Sequence, residues 1–347
     1  MKEELSSSRS RGLLRHLIQE YIHTGEPVGS RRLSELSEEG LSPATIRNMM
    51  ADLEESGYVC QPHTSAGRVP TEKGYRFYVD ALLERRELSG RDISEIDCAL
   101  ESGNSSASDL LSCASNILST VSNNVGFVVA PTIHQMVLRH AEFLRLADKR
   151  VLVIIVGQSG IVQNRVIRID EDLSQLELDY AGRYLVAQFA GLTLPTIRRK
   201  LLQMMKEEKA LYDKMLQQVV KLGTAGLEDS AGESNVYVDG TARLVRNREF
   251  ADVKQMIEIF EMFEHKSRLV KIISECIPSE SGPKVTIGID AGTPAANNFA
   301  MVTSSYACAD QTLGAVGVLG PKRMEYARAI SLVDHVAKAV EKILNRN

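Results

Sequence analysis

Arg47 and Asn48 stand side by side near the start of a helix-forming stretch, and their chemistry is that of reading base edges. An arginine can bond guanine O6 and N7 with two parallel donors, and an asparagine can do the same to adenine N6 and N7. Within LSPATIRNMMADLEESG, residues 41–57, Ser42 can cap a helix, Pro43 suits its first turn and Gly57 suits a left-handed close. The spacing predicts a helix from about Pro43 to Ser56. At about 100° per residue, Ile46, Met49, Met50 and Leu53 share one side, while Ala44, Arg47, Asn48, Ala51 and Glu55 fall opposite. Two alanines beside Arg47 and Asn48 leave the outer face low enough for close approach, and the positive helix N-terminus favours phosphate.

The elements expected to position that helix lie on either side of it. Arg9–Thr24 carries Leu13, Leu14, Leu17, Ile18, Tyr21 and Ile22 at helical spacing, and a short helix Ser30–Ser37 follows the turn GEPVG, with Leu33 and Leu36 inward. Helix, short helix, turn, helix is the helix-turn-helix order. Beyond Gly57, Tyr58–Gln61 reads as a strand, PHTSAG as a loop and Arg68–Pro70 as a returning strand, a hairpin wing. Thr71 can cap a fourth helix through Tyr75, Phe77, Tyr78, Ala81 and Leu82. The candidate DNA contacts are Ser42, Ala44, Thr45, Arg47 and Asn48 on the helix, His63, Thr64, Ser65, Gly67 and Arg68 on the wing, and Lys73 and Arg76 on its flank.

Charge argues for placement rather than bulk attraction. The 347-residue chain has net charge −4, and residues 1–86 hold 12 Lys+Arg against 13 Asp+Glu, so non-specific nucleic-acid binding should be weak. Glu35, Glu38, Glu54 and Glu55 are expected away from the basic cluster. The length favours more than one domain, and 44% hydrophobic content supplies ample core. No apolar run reaches the ~20 residues of a membrane span, and MKEELSSSRSR lacks a signal core, which predicts a cytoplasmic protein. The five cysteines, Cys60, Cys98, Cys113, Cys276 and Cys308, are scattered and odd in number, which reads as reduced thiols without bridges or zinc.

No catalytic signature is legible. There is no GxxxxGK[ST] and no HExxH, and Gly314, Gly317 and Gly320 do not have the GxGxxG spacing. Gly320-Pro321 reads more simply as the start of a last helix, and His134 and His140 stand isolated. Neither a cofactor nor a metal is expected.

After a charge cluster at Glu84–Glu87, ESGNSSAS at 101–108 has linker composition. Asp109–Ser122 reads as a helix, and Gln135–Leu146, Arg150–Gly157 and Ile161–Ile169 read as an antiparallel meander. Helix then dominates until strands return at Lys284–Asp290, Phe299–Tyr306 and Thr312–Leu319, before a closing helix from about Pro321 to Leu344. Pro195–Leu222 would span ~40 Å at 1.5 Å per residue. It carries Ile197, Leu201, Met204, Leu211, Met215, Val219 and Leu222 as a near-heptad stripe. That stripe suits either a partner helix or packing on 173–189 or 253–273 of the same chain. The simplest topology is an antiparallel sheet interrupted by a helical insertion.

The stretches YIHTGEPVGSRRL, LSPATIRNMMADLEESGYV and QPHTSAGRVPTEKGYRFYVD, with GAVGVLGPKRMEYARAISLVDHVA near the C-terminus, resemble the HrcA family of bacterial heat-inducible repressors over nearly the whole chain. The chain departs from that pattern at Met49, where the family commonly has an acidic residue, and at Asp290-Ala291, where an acidic residue precedes asparagine. The resemblance implies an α+β multidomain protein. Its parts would be a winged helix-turn-helix domain at 1–86, a linker at 87–108, a GAF-like antiparallel sheet at 109–170 and 278–347, and an inserted, mainly helical dimerisation domain at 171–277. It further implies a homodimer on a CIRCE-type inverted-repeat operator upstream of chaperone operons, with the GroE chaperonin as helper. Leu201, Met204, Leu211, Met215 and Val219 are then the candidate dimerisation residues. The alternative is an effector-regulated winged-helix repressor whose GAF-like domain binds a small ligand.

Overall fold

The computed structural model describes residues 7–37, 40–63, 66–84, 87–102, 106–130, 136–169, 173–206, 222, 236–245, 282–289, 297–308 and 311–346. Helix α1, Ser8–Thr24, buries Leu13, Leu14, Leu17 and Ile18, and α2, Ser30–Leu36, buries Leu33. Helix α3, Pro43–Glu55, starts where the Ser42 hydroxyl accepts the Thr45 N–H at 3.2 Å, with Pro43 in the first turn. It ends because Gly57 adopts a left-handed φ of 76°, which lets the Gly57 N–H reach Glu54 O and the Tyr58 N–H reach Leu53 O, both at 2.9 Å.

The chain then forms a short hairpin, β1 Val59–Cys60 and β2 Val69–Pro70, with Val59 opposite Pro70 and Cys60 opposite Val69. A bridge between Val28 and Arg68 ties the α1–α2 turn to its base. Helix α4, Glu72–Phe77, begins under a Thr71 cap and widens into a π-type turn over Tyr78–Leu82. Gly74 of α4 lies against the Tyr58 carbonyl oxygen, so closely that a Cβ would drive into backbone. Gly74→Val is therefore expected to destabilise the chain by roughly 1–3 kcal/mol, since overpacking against backbone outweighs any gain in helix propensity. Gly12→Ala in α1, where the added methyl meets open space, should instead stabilise by up to ~1 kcal/mol. Thermal melts of the two variants check the opposite signs.

Helix α5, Gly90–Ser102, buries Ile96 and Leu100, and α6, Ala107–Ser122, starts from a Ser106 cap. The expected linker at 87–108 is thus largely helical. Its polar residues lie on the outer side of α5, while Ile96 and Leu100 join the core beside α6 and the C-terminal helix. Strand β3, Val125–Val129, follows, then β4 Leu138–Arg145, β5 Arg150–Gly157 and β6 Val162–Arg168. Next come α7 Gln175–Phe189, α8 Leu194–Lys206, β7 Val236–Asp239 and α9 Thr241–Val245. Strands β8 Pro283–Ile287, β9 Phe299–Cys308 and β10 Gln311–Pro321 lead to α10, Tyr326–Leu344.

Two antiparallel sheets result beside the hairpin. One has the order β7-β3-β10-β9-β8 and the other β4-β5-β6. Helices α6 and α10 pack on each other and on the larger sheet, and α5 packs on both. Their buried residues are continuous with those of α1 to α4 in one apolar cluster. The smaller sheet packs on α7 and, with α8, forms a separate cluster. This corrects the expected single interrupted sheet: the meander at 138–168 leaves the larger sheet entirely, so the division falls before β4 rather than at 170. Strand β3 is not among the expected strands: VGFVV is buried at all five positions and shows no alternation.

Candidate nucleic-acid interface

On α3 the two sides separate as the wheel requires. Ile46, Met50 and Leu53 are buried, Met49 is half-buried, and Ser42, Ala44, Thr45, Arg47, Asn48 and Ala51 are exposed. Among the described residues Arg47 forms no ion pair, so its guanidinium is available to a ligand. Thr45 shares a hydrogen bond with Ser42, their hydroxyl oxygens 2.9 Å apart, which fixes the first turn. At this end the unpaired backbone N–H groups of a helix start face outward with the exposed hydroxyls.

The hairpin is braced by Glu54, an acid expected away from the basic cluster. Glu54 accepts the Gln61 N–H on Oε1 at 3.1 Å and Arg68 Nη2 on Oε2 at 2.8 Å, joining α3 to both arms. The Gln61 amide closes the loop by donating to Ala66 O at 3.0 Å. Arg68, expected to face phosphate, is turned inward: its side chain is 19% exposed, and its Nε is buried with no partner among the described residues. Gly67 lies against the Val28 backbone and serves that close approach. His63 is exposed on the loop, and its carbonyl accepts the Ala66 N–H at 2.9 Å. Thr64 and Ser65 lie outside the described residues.

The flank is committed to internal contacts as well. Lys73 donates to Ser56 O at 2.8 Å and stands 4.5 Å from the Tyr58 ring centre, where the cation meets the ring's negative face. Arg76 pairs with Glu72 and donates to Ile287 O of β8. The basic residues gathered by the sequence reading therefore divide. Arg47 on α3 and His63 on the loop are exposed, Arg68 is turned inward, and Lys73 and Arg76 make internal contacts while remaining exposed. Sequence spacing could not reveal this, because long cationic side chains choose partners by tertiary position.

Of the candidate dimerisation residues, Leu201 is fully buried in the cluster of the smaller sheet, and Met204 packs against that cluster. Leu211, Met215 and Val219 lie outside the described residues. The smaller sheet has a second face, opposite α7. Across it run the rows Leu144–Leu152–Val166, Glu142–Ile154–Asn164 and His140–Val156–Val162. Val162 and Val166 are 53% and 52% exposed, and Leu152, Ile154 and Val156 are half-buried. Among the described residues no helix is long and apolar enough to cross a membrane, and no group of three or more His, Cys, Asp or Glu side chains could hold a metal.

The HrcA protein C terminal domain family matches residues 108–330. The heat-inducible transcription repressor HrcA of Geobacter sulfurreducens is 39% identical over 338 residues, covering 97% of this chain and 98% of that protein. The repressor of the same name from Syntrophobacter fumaroxidans is 35% identical over 338 residues, covering 97% of each. That of Xanthomonas euvesicatoria is 40% identical over 329 residues, 95% of this chain and 93% of the other. A crystal structure described as that of a hypothetical protein aligns over 98% of this chain and 99% of its own with a TM-score of 0.61 at 23% identity, a likeness of fold.

Proposed function

The chain belongs to the HrcA family of heat-inducible transcription repressors, proteins that are not enzymes, and from that premise we propose how it represses. Residues 1–86 act as a winged helix-turn-helix, and α3 enters the major groove of an inverted-repeat operator of the CIRCE type. The observation that carries this reading is the outer face of α3, where Arg47 and Asn48 are exposed between the small side chains of Ala44 and Ala51. Ser42 and Thr45 would meet the phosphates at the helix start, and His63 the backbone beside the wing. Binding takes place in the cytoplasm, upstream of chaperone operons.

Two half-sites call for two copies. The dimer surface we propose is the open face of β4-β5-β6, where the exposed Val162 and Val166 flank the half-buried Leu152, Ile154 and Val156, an apolar strip of the kind that marks an interaction site. Leu201 and Met204 support that surface from behind, through the core between the sheet, α7 and α8.

Heat would act through the folded, dimeric population. At ~0.7 kcal/mol per residue the unfolding enthalpy of a chain this size reaches roughly 240 kcal/mol, so a rise of about 5 °C near 45 °C multiplies the unfolding constant by several hundred-fold if the chain melts as one unit. Exposed apolar surface is then captured by a chaperonin, and the GroE system would return repressor to the active state. Gel shifts on the operator after stepped heating, with and without GroE and ATP, test this. Binding should collapse over a few degrees and recover with chaperonin. Full binding throughout heat shock, or indifference to chaperonin after partial inactivation, would sink the reading.

An effector-regulated GAF-like domain is the second reading. It has one observation behind it, a cleft of about 280 Å³ lined by Asn123, Asn124, Arg323 and Arg328 at the start of α10. That volume falls below the ~300–1,000 Å³ of most ligand pockets, which favours the thermal reading.

A further inference from the structure

The helix-hairpin unit of α1 to α4 is attached to the larger sheet at two separate points by neighbouring residues of one connector. Between β10 and α10, Lys322 Nζ lies 3.2 Å from Oε2 of Glu72, the first residue of α4. Glu72 Oε1 holds Arg76 Nη2 at 2.5 Å, and the same Nη2 donates to Ile287 O at the end of β8 at 3.2 Å. A Cβ at Gly288 would stand 2.6 Å from the Glu72 carboxylate and push it aside, and the left-handed φ of 71° there also favours glycine. The next connector residue, Arg323, lays its guanidinium against Gly25, which ends α1. Behind the polar contacts Tyr75 packs on Tyr326 with ring centres 6.2 Å apart, and the Tyr326 hydroxyl donates to Lys322 O at 2.5 Å.

One contact would leave the unit free to swivel, but two contacts around an apolar centre define an angle. The path from there to α3 is short. Thr71, next to Glu72, caps α4 and donates its hydroxyl proton to Gly57 O, just beyond the end of α3. We propose that Glu72 is a positioning residue for DNA recognition, holding α3 at a set angle to the rest of the chain and so fixing the half-site separation that a dimer accepts. The inference rests on the DNA-binding reading above. Ion pairs this open contribute little to stability. The effect of this one is geometric, because spacing between half-sites is read by the rigid separation of two recognition helices.

The test uses the full chain and the inverted-repeat duplex that it selects from a random library, with versions whose spacer is changed by about 2 and about 5 base pairs, and a single half-site duplex. Glu72→Gln and Lys322→Gln are compared with the parent, and thermal melts confirm folding. The parent should prefer its own spacer by at least about ten-fold, about half a helical turn being the worst offset. Each variant should reduce that preference to within about three-fold. The two substitutions change net charge in opposite directions and should move half-site affinity oppositely, if at all, yet both should relax the spacer preference. Should one variant fail to fold, the other probes the same contact from its opposite side. Retained spacer preference in a folded variant overturns the proposal, as does a loss of half-site binding equal to the loss on the full operator. Failure of the parent to select any inverted repeat overturns the DNA-binding reading and this proposal together.

Discussion

Arg47→Ala is expected to reduce affinity for the operator by on the order of 30-fold to 10⁴-fold while changing affinity for unrelated duplex only a few-fold. A two-pronged contact to a base is worth about 1–3 kcal/mol, and a dimer makes it twice, giving about 2–6 kcal/mol. The guanidinium is exposed and forms no ion pair among the described residues, so its removal leaves no buried charge behind and the fold intact. Arg47→Lys should fall nearly as far, because an ammonium keeps the charge but not the planar fork. Asn48→Ala should follow the same pattern at a different base position. Competition gel shifts against scrambled duplex measure the ratio, and an unchanged preference after Arg47→Ala would remove α3 from the groove.

The second large effect concerns assembly. Val162→Asp combined with Val166→Asp should give a folded monomer that has lost most of its operator affinity. Burying a valine side chain fully is worth about 1.5–3 kcal/mol, and these two are half exposed. Covering both in both copies then contributes roughly 3–6 kcal/mol, two to four decades in the dimer Kd. Aspartate adds the desolvation of charge to that loss. Leu201→Asp should behave differently, since Leu201 is fully buried behind the sheet and a charge there unfolds the cluster rather than splitting the dimer. Sedimentation with circular dichroism distinguishes the outcomes: a folded dimer carrying both valine substitutions would exclude this face.

Local signals were the readable part of the chain. Ser42, Pro43 and Gly57 fix the ends of α3 to within a residue, and the same residues do so in the structure, because caps act through neighbours in sequence. Partnership between distant elements was not readable. Alternation at 138–168 announces strands but cannot say which sheet they join, and β7 is too short to stand out. The polar residues at 101–108 suggested a loose tether, yet two apolar side chains one turn apart, Ile96 and Leu100, were enough to dock the preceding helix. At the site, helical phase places Arg47 and Asn48 on the exposed side of α3, where the structure has them. Phase says nothing of Arg68, whose direction is set by an acid brought close only by folding, Glu54.

The two apolar clusters also bear on how such a chain can be cut and recombined. Residues of α1 to α4 share one continuous cluster with α5, α6, the five-stranded sheet and α10, whereas the three-stranded sheet keeps its own. The transplantable module is therefore not the unit of α1 to α4. A chimera joined at residue 86 would strip Tyr75 from Tyr326 and carry a wet, sticky seam into its new host. Exchanging the unit around β4–β6 and its helices would leave α1 to α4 and their platform intact, so repressors with new oligomeric habits are easier to build from this scaffold than repressors with a borrowed N-terminal unit.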